Sequence, residues 1–186
     1  TSFLCIKIKL YAYDIIKTEY KGHAKEIVSK NLDTGYDTIV AIGGDGTVNE
    51  VATNLIDTNI SMGIIPTGSG NGLARALGIP MNWRKAIDRI ISNNIISIDS
   101  ISINDLKFFN VAGTGFDSHI AHLFAKNTKR GFLSYIKLTL KEFFAFENRN
   151  TTIIIDTMEL NKDYFSMSFA NSSQFGNNAY ISPHSD

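Results

Sequence analysis

Residues Asp37–Glu50, DTIVAIGGDGTVNE, decide how this chain is read. Ile39, Val40, Ala41 and Ile42 form a short unbroken apolar run bounded by turn residues, the pattern of a strand covered on both faces and so of a central parallel strand. Gly43, Gly44 and Gly46 then remove three side chains from one turn, which lets φ go positive and leaves backbone N–H groups open to a close ligand. Asp45 is the one charge inside that turn. Thr47 and Glu50 stand at capping-box spacing and predict a helix that begins at Val48. A helix N-terminus behind a glycine turn is a resting place for phosphate. The same residues also read as a plain strand-to-helix turn in which Asp45 offsets the helix dipole.

A second stretch repeats the architecture. Ser61–Pro66, SMGIIP, is another short apolar strand, followed by the small-residue loop Thr67–Gly72, TGSGNG, and a helix-like LARALGI. Two such loops at the carboxyl ends of neighbouring parallel strands face one crevice, where open α/β sheets bind ligands. Together they predict a nucleotide cleft. Neither loop is G-x-x-x-x-G-K-[ST], and neither gives the G-x-G-x-x-G dinucleotide fingerprint, so those two common nucleotide folds are disfavoured.

The chain resembles the diacylglycerol kinase catalytic-domain family, which includes bacterial lipid kinases and the sphingosine kinases. The residues that carry the resemblance are TEYKGHA at 18–24, GGDGTVNEV at 43–51, PTGSGNGLARALGIP at 66–80, AGTGFD at 112–117, KRGFLSY at 129–135 and NSSQFGNNAYISP at 171–183. They cover nearly the whole chain in the family's order. GGDGT by itself is shared with NAD kinases and phosphofructokinases, whereas the GSGN loop at this distance resembles the lipid kinases. Against the family, the chain would lack a first strand with its Asn-Pro-x-(Ser/Gly)-Gly loop and a carboxyl-terminal Asp-Gly-x-Leu/Glu segment. It starts at Thr1 without an initiator Met and stops at Asp186 just after a strand-like AYISP.

Composition bounds the reading. At 186 residues there is enough chain for one large domain or two small ones. Lys+Arg and Asp+Glu balance at 18 each, so no global field argues for nucleic acid, and nothing in the composition reports an oligomeric state. A single cysteine, Cys5, fits a reducing cytosol and supports no internal disulfide framework. No apolar stretch approaches the ~20 residues that span a bilayer. A lipid substrate would therefore be met from the water side, which places the protein in the cytoplasm and peripherally at the inner membrane surface.

The expected fold is α/β. Residues 1–94 form a parallel-sheet nucleotide-binding domain of the NAD kinase/diacylglycerol kinase type, its first strand missing, and 95–186 form part of a mainly antiparallel β domain for the lipid substrate. Residues 1–11 alternate like a strand where the family would end a helix. Asp14–Thr18 predicts a strand. Helices are expected over Lys21–Asn31, Val48–Ile56, Leu73–Leu77 and Trp83–Ile91, with Gly78 and Pro80 closing the third in the expected order. Later strands are expected over Ile95–Ile103, Lys107–Ala112, Thr151–Ile155 and Tyr164–Ala170, with FSMSF at 165–169 presenting one buried and one wet face.

One long helix is predicted over Lys126–Phe146. It has two apolar stripes, one through Phe132, Leu133, Ile136, Leu140, Phe143 and Phe144 and another through Tyr135, Leu138 and Phe146, interspersed with Lys126, Lys129, Arg130, Lys137 and Lys141. That pattern suits an anionic membrane surface, an acyl-chain pocket, or a doubly buried helix with snorkelling lysines. His23 reads as a packed or capping histidine. His119 and His122 sit at i, i+3 with no third ligand at zinc spacing.

The resemblance implies phosphoryl transfer from ATP, with Mg²⁺, to a hydroxyl of a diacylglycerol-like or sphingoid lipid. It implies nucleotide contacts at Thr18, at Gly43, Gly44, Asp45, Gly46, Thr47 and Asn49, and at Gly68, Ser69, Gly70 and Asn71. Read alone, Thr18 is equally a strand-end residue or a helix cap. Asp45 is the implied catalytic carboxylate. In bacterial members the base, and further Mg²⁺ ligands, are expected in an acid-bearing segment beyond residue 186. Asp117 is an implied substrate contact that also reads as a turn or helix cap after Gly113 and Gly115. Arg130 is an implied phosphate contact that reads equally as half of a surface Lys-Arg pair. The rival classes are a small-molecule kinase of the NAD kinase type and a non-catalytic nucleotide-binding fragment.

Overall fold

A computed structural model describes residues 3–9, 12–126, 132–155, 157–176 and 179–182. The chain divides into two compact units, Thr1–Val111 with Ala170–Asp186, and Ala112–Phe169. The division expected near Asn94 therefore falls later, and the segment from 170 onward returns to the first unit.

The first unit is built on a four-stranded sheet of β1 (Phe3–Lys9), β2 (Ala12–Lys17), β3 (Thr38–Gly43) and β4 (Ser61–Pro66), in the order β2-β1-β3-β4. β3 and β4 are parallel, with Val40 opposite Gly63 and Gly43 opposite Pro66. β1 runs antiparallel to both β2 and β3, pairing Cys5 with Ile15 on one side and with Val40 on the other. Residues 1–11 thus carry a strand, as their alternation indicates. β2, β3 and β4 all point the same way, and their carboxyl ends share one edge of the sheet.

The apolar run in β3 is buried on both faces because helices cover each side. Ile39 and Ala41 pack with Ala24, Ile27 and Val28 of α1 (His23–Asn31) and with Val48, Val51 and Ala52 of α2 (Asp45–Leu55). Val40 faces the opposite way, onto Ile65 and onto Ala86 of α4 (Trp83–Ile91). Gly63 lets α4 settle on the sheet, since a Cβ there would stand 3.0 Å from Ile90 and 3.1 Å from Val40. Each fully buried Val or Ile in such a layer contributes about 1.5–3 kcal/mol. The short α3 (Gly72–Ala76) ends at Gly78, whose φ is +64°, and the Ile79 N–H closes the turn on the Ala74 carbonyl at 2.8 Å.

The capping box does not form. α2 starts at Asp45, three residues before the expected Val48, with the extended Gly44 as N-cap and the Val48 N–H on the Gly44 carbonyl at 3.1 Å. Glu50 instead accepts the N–H of Gly22 at 2.9 Å and so ties α2 to the start of α1. Beyond α4, residues 95–100 carry no strand and are exposed. The strand expected there is reduced to β5 (Ile101–Ile103), in a hairpin with β6 (Leu106–Phe108). Two further short strands, β11 (Gln174–Gly176) and β12 (Ala179–Tyr180), complete this unit with an antiparallel pair.

The second unit contains β7 (Val111–Gly115) paired with β10 (Ser166–Ala170), and the antiparallel hairpin of β8 (Arg149–Ile155) and β9 (Met158–Tyr164). Of the helix expected over 126–146, the described residues carry α6 (Phe132–Phe143), residues 127–131 lie outside the described residues, and a further helix, α5 (Phe116–Lys126), precedes it. α5 begins where the left-handed Gly115, φ +88°, turns the chain and the Phe116 N–H reaches the Phe165 carbonyl at 2.8 Å. Phe116 and Ile120, four apart, are its buried face. FSMSF does not alternate cleanly, because Phe165 through Ser168 are all half-buried and Phe169 is exposed.

Candidate functional site

The two glycine loops meet at the shared carboxyl edge of β3 and β4. Gly68 lies directly against Gly44, so that a Cβ on Gly68 would stand 2.5 Å from the Gly44 Cα. This approach is open only to glycine. Gly43 is equally confined, with Thr47 2.7 Å from where its Cβ would be. The loops are joined by the Asp45 carboxylate. Oδ2 accepts the Asn71 N–H at 2.8 Å and Oδ1 accepts the Gly72 N–H at 2.6 Å. A Cβ on Gly70 would come within 2.9 Å of the same Oδ2.

Asn71 folds the second loop on itself. Its Oδ1 accepts the Gly68 N–H at 2.9 Å, and its Nδ2 donates to the Gly68 carbonyl at 2.7 Å. Its backbone is left-handed, φ +52°, a conformation asparagine tolerates better than most residues. Asn71 is buried, and Ser69 at the tip of the loop is exposed. Arg75, one turn into α3, donates from Nε to the Gly70 carbonyl at 3.1 Å.

The open side of this arrangement is the first turn of α2. Asp45 and Gly46 are exposed, and a Cβ on Gly46 would meet nothing within 4 Å. The first N–H groups of a helix have no partner inside it and carry the positive end of its dipole. Space, unshielded backbone and favourable field coincide here. Thr18 follows the last residue of β2 and is half-buried at the same edge of the sheet. Asn49 points elsewhere, donating its side-chain N–H to the Lys107 carbonyl at 3.3 Å.

The residues that hold the second loop from behind lie in the stretch 171–183, which the sequence offered as part of the resemblance and not as a support for this loop. Gly176 of β11 sits 3.0 Å, measured from its virtual Cβ, from the Gly70 carbonyl, and a Cβ on Gly72 would overlap the Asn110 side chain and the Phe175 carbonyl. The segment is anchored by Asn171, whose N–H donates to the Asn110 carbonyl at 2.8 Å and whose Nδ2 reaches the Asp99 carbonyl at 2.7 Å. The buried Ser172 hydroxyl donates to Oδ1 of Asn110. Gln174 is also buried, and its Oε1 accepts no hydrogen bond among the described residues. The available signal was the small and amide side chains of NSSQFG.

Asp117 belongs to the second unit, in the first turn of α5. Its Oδ2 accepts the Ser166 hydroxyl at 2.6 Å and the Ser168 hydroxyl at 3.4 Å, both from β10. Arg130 lies outside the described residues. Among the described residues no three His, Cys, Asp or Glu side chains cluster as a metal cage. His119 instead contacts Glu142, Nε2 to Oε2 at 2.9 Å, and His23 accepts the Glu19 N–H at 3.1 Å and stacks on Tyr20.

The model of the Diacylglycerol kinase catalytic domain family matches residues 5–103. The chain is 39% identical over 123 residues to "Probable lipid kinase YegS" of Escherichia fergusonii, an overlap covering 62% of this chain and 41% of the relative. It is 29% identical over 177 residues to SH2167 of Staphylococcus haemolyticus, a protein named as a lipid kinase, covering 93% of this chain and 56% of that one. The chain thus spans about half the length of these relatives. A crystal structure of a diacylglycerol kinase from Bacillus anthracis shares the fold with a TM-score of 0.65 at 23% identity, over 87% of this chain and 52% of the other.

Proposed function

Because the chain belongs to the diacylglycerol kinase catalytic-domain family, we propose that it carries the nucleotide loops of an ATP-dependent lipid kinase, which transfers the γ-phosphoryl group to a hydroxyl of a diacylglycerol-like or sphingoid lipid. The observation that carries the proposal is the Asp45 clasp, a carboxylate that fixes a second small-residue loop beside a glycine-capped helix N-terminus. Phosphoryl transfer needs positioning and neutralisation of charge more than covalent chemistry from the protein. In this reading the ATP phosphates rest on the backbone at Gly44–Gly46, with Thr18, Thr47, Ser69 and Gly70 around them.

Mg²⁺ fits the residues present in one way. It keeps several waters and is commonly held by one or two carboxylates together with substrate phosphates, so no protein cage is required. Asp45 would be its protein contact among the loop residues, and the ion would neutralise the charge on the phosphates. Each Asp45 oxygen already accepts one backbone N–H, which leaves a further lone pair on each for a metal-bound water or an acceptor hydroxyl. Asp117, steadied on one oxygen by Ser166, is proposed to take the hydroxyl or ammonium of the lipid head. The protein would work peripherally on the cytoplasmic side of the membrane.

The test is transfer of labelled γ-phosphate from ATP with Mg²⁺ to diacylglycerol, sphinganine and NAD, with the chain as it stands and in a form extended to the length of its relatives. Labelled lipid supports the proposal and names the acceptor class. Labelled NADP identifies a small-molecule kinase instead, and ATP binding with no product from either form identifies a nucleotide-binding protein.

A further inference from the structure

Helix α6 leaves a sector of its surface apolar and uncovered. Ile136, Leu140, Phe143 and Phe144 follow one another at i, i+4, i+7 and i+8, on one helical face and its continuation, and are 36%, 60%, 51% and 87% exposed. Leu138, Thr139 and Glu142 lie on the opposite side and are half-buried. The inward side is held by the His119–Glu142 contact and by Phe146, which packs edge-on against Phe116 at 5.4 Å. α6 is therefore seated on its own unit by that side and by Phe143, whose ring also meets Phe116 and Phe165, and Ile136, Leu140 and Phe144 form the rest of the apolar sector, turned away from it.

The charges on the helix are arranged to match. Lys137 and Lys141, four apart, are exposed and lie along one border of the apolar sector. Lys141 approaches a carboxylate only at 3.8 Å, from Glu142. Glu142 itself is directed at His119, so the outward face of α6 carries cations and no acid among its described residues. An apolar strip bordered by lysines matches the boundary between acyl chains and anionic headgroups, where the strip enters the hydrocarbon edge and the ammonium groups stay at phosphate level.

We propose that this face of α6 is a docking surface for an anionic lipid bilayer. The inference deepens the lipid-kinase reading and rests on it for its purpose, since a lipid acceptor must be reached at a membrane. No helix among the described residues is long and apolar enough to cross one. The structure also selects the residues to change. Phe143 contributes to the aromatic cluster with Phe116 and Phe165, whereas Leu140 and Phe144 are largely exposed.

The experiment is co-sedimentation with phosphatidylcholine vesicles, with and without phosphatidylglycerol, at low and high salt. The proposal expects binding that favours the anionic vesicles and weakens with salt. A Leu140→Ser/Phe144→Ser variant with an unchanged circular dichroism spectrum should bind about tenfold more weakly. Lys137→Gln/Lys141→Gln should lose the preference for anionic lipid while keeping the residual binding. Equal binding by the Leu140/Phe144 variant, or no binding by the unaltered protein, overturns the proposal. So does a dimer in solution that the same variant converts to monomer, because the face is then a self-association surface. Vesicle binding is read without ATP, so binding with no phosphoryl transfer overturns the kinase reading alone, and transfer to a short-chain soluble acceptor without vesicle binding overturns the docking alone.

Discussion

Asp45 accepts the backbone N–H of Gly72 at 2.6 Å across 27 positions of sequence, and its other oxygen accepts the N–H of the adjacent Asn71. The residue implied as the catalytic carboxylate is thus also the tie between two loops. Asp45→Asn would replace one acceptor oxygen with an amide donor facing an N–H, so it breaks the tie as well as removing the charge. Charge-assisted hydrogen bonds contribute about 1.5–3 kcal/mol each, so ATP affinity should fall at least about tenfold, as measured by calorimetry. Retained ATP affinity with abolished transfer would assign Asp45 to the chemical step alone.

Gly68 and Gly46 should separate stability from nucleotide binding. A Cβ on Gly68 would press on the Gly44 Cα at 2.5 Å, and neither position is the far end of a flexible side chain. Gly68→Ala should cost about 1–3 kcal/mol, the usual range for overpacking, seen as a lower urea midpoint. Gly46 lies in the first turn of α2 with open space around it, so Gly46→Ala should leave that midpoint unchanged or raise it. Its methyl group would nevertheless occupy the face offered to phosphate, so ATP affinity should fall in a fully folded protein.

The α/β layer was legible because local and global signals agreed. Ile39–Ile42 is apolar without interruption and its strand is covered on both faces, and the α4 limits, Trp83–Ile91, are those expected, with Asn82 capping the helix by accepting the Arg84 and Lys85 N–H groups. The loops were legible as glycine turns, but their coupling was not. Nothing in the spacing of Asp45 and Gly72 says that a carboxylate will bridge them, because the contact depends on strand order and register. Thr47 and Glu50 misled for a related reason. The capping box is a local pattern, and Glu50 found a better-placed donor in Gly22 through the packing of α1 on α2.

The second unit was less legible. GTGFD read as a turn or a helix cap because its glycines dominate, and the helix beyond it was not drawn, although Phe116 and Ile120 at i, i+4 were its signal. The return of NSSQFG to the first unit was not visible either, since amide and hydroxyl side chains look alike on a solvated rim and in a buried hydrogen-bonded wall.

That wall yields a prediction of its own. Ser172 is buried and its hydroxyl donates to Oδ1 of Asn110, beside Gly72. Ser172→Ala removes the donor and leaves a half-buried acceptor without it, a loss of about 1 kcal/mol. Chemical denaturation should show it. Asn110→Ala should cost a similar amount, and the double variant should cost less than the sum of the two, because both single changes break the same bond. Additive losses would mean that the two side chains act independently.

The His119–Glu142 contact makes the packing of α5 on α6 sensitive to acid. The hydrogen bond to His119, supported by the nearby Lys141, lowers the Glu142 pKa below its ordinary value despite a smaller opposing effect of burial. A carboxyl whose pKa is lower in the folded state stabilises that state fully above its unfolded pKa, and loses the contribution as pH falls through the folded value. The unaltered protein should therefore lose stability as pH drops from about 5 toward 3, through protonation of this group among others. Glu142→Gln can still hydrogen-bond His119 but cannot titrate, so its thermal midpoint should change less steeply across that interval while remaining close to that of its parent above it. Identical acid slopes for the two proteins would show that the contact does not couple to folding.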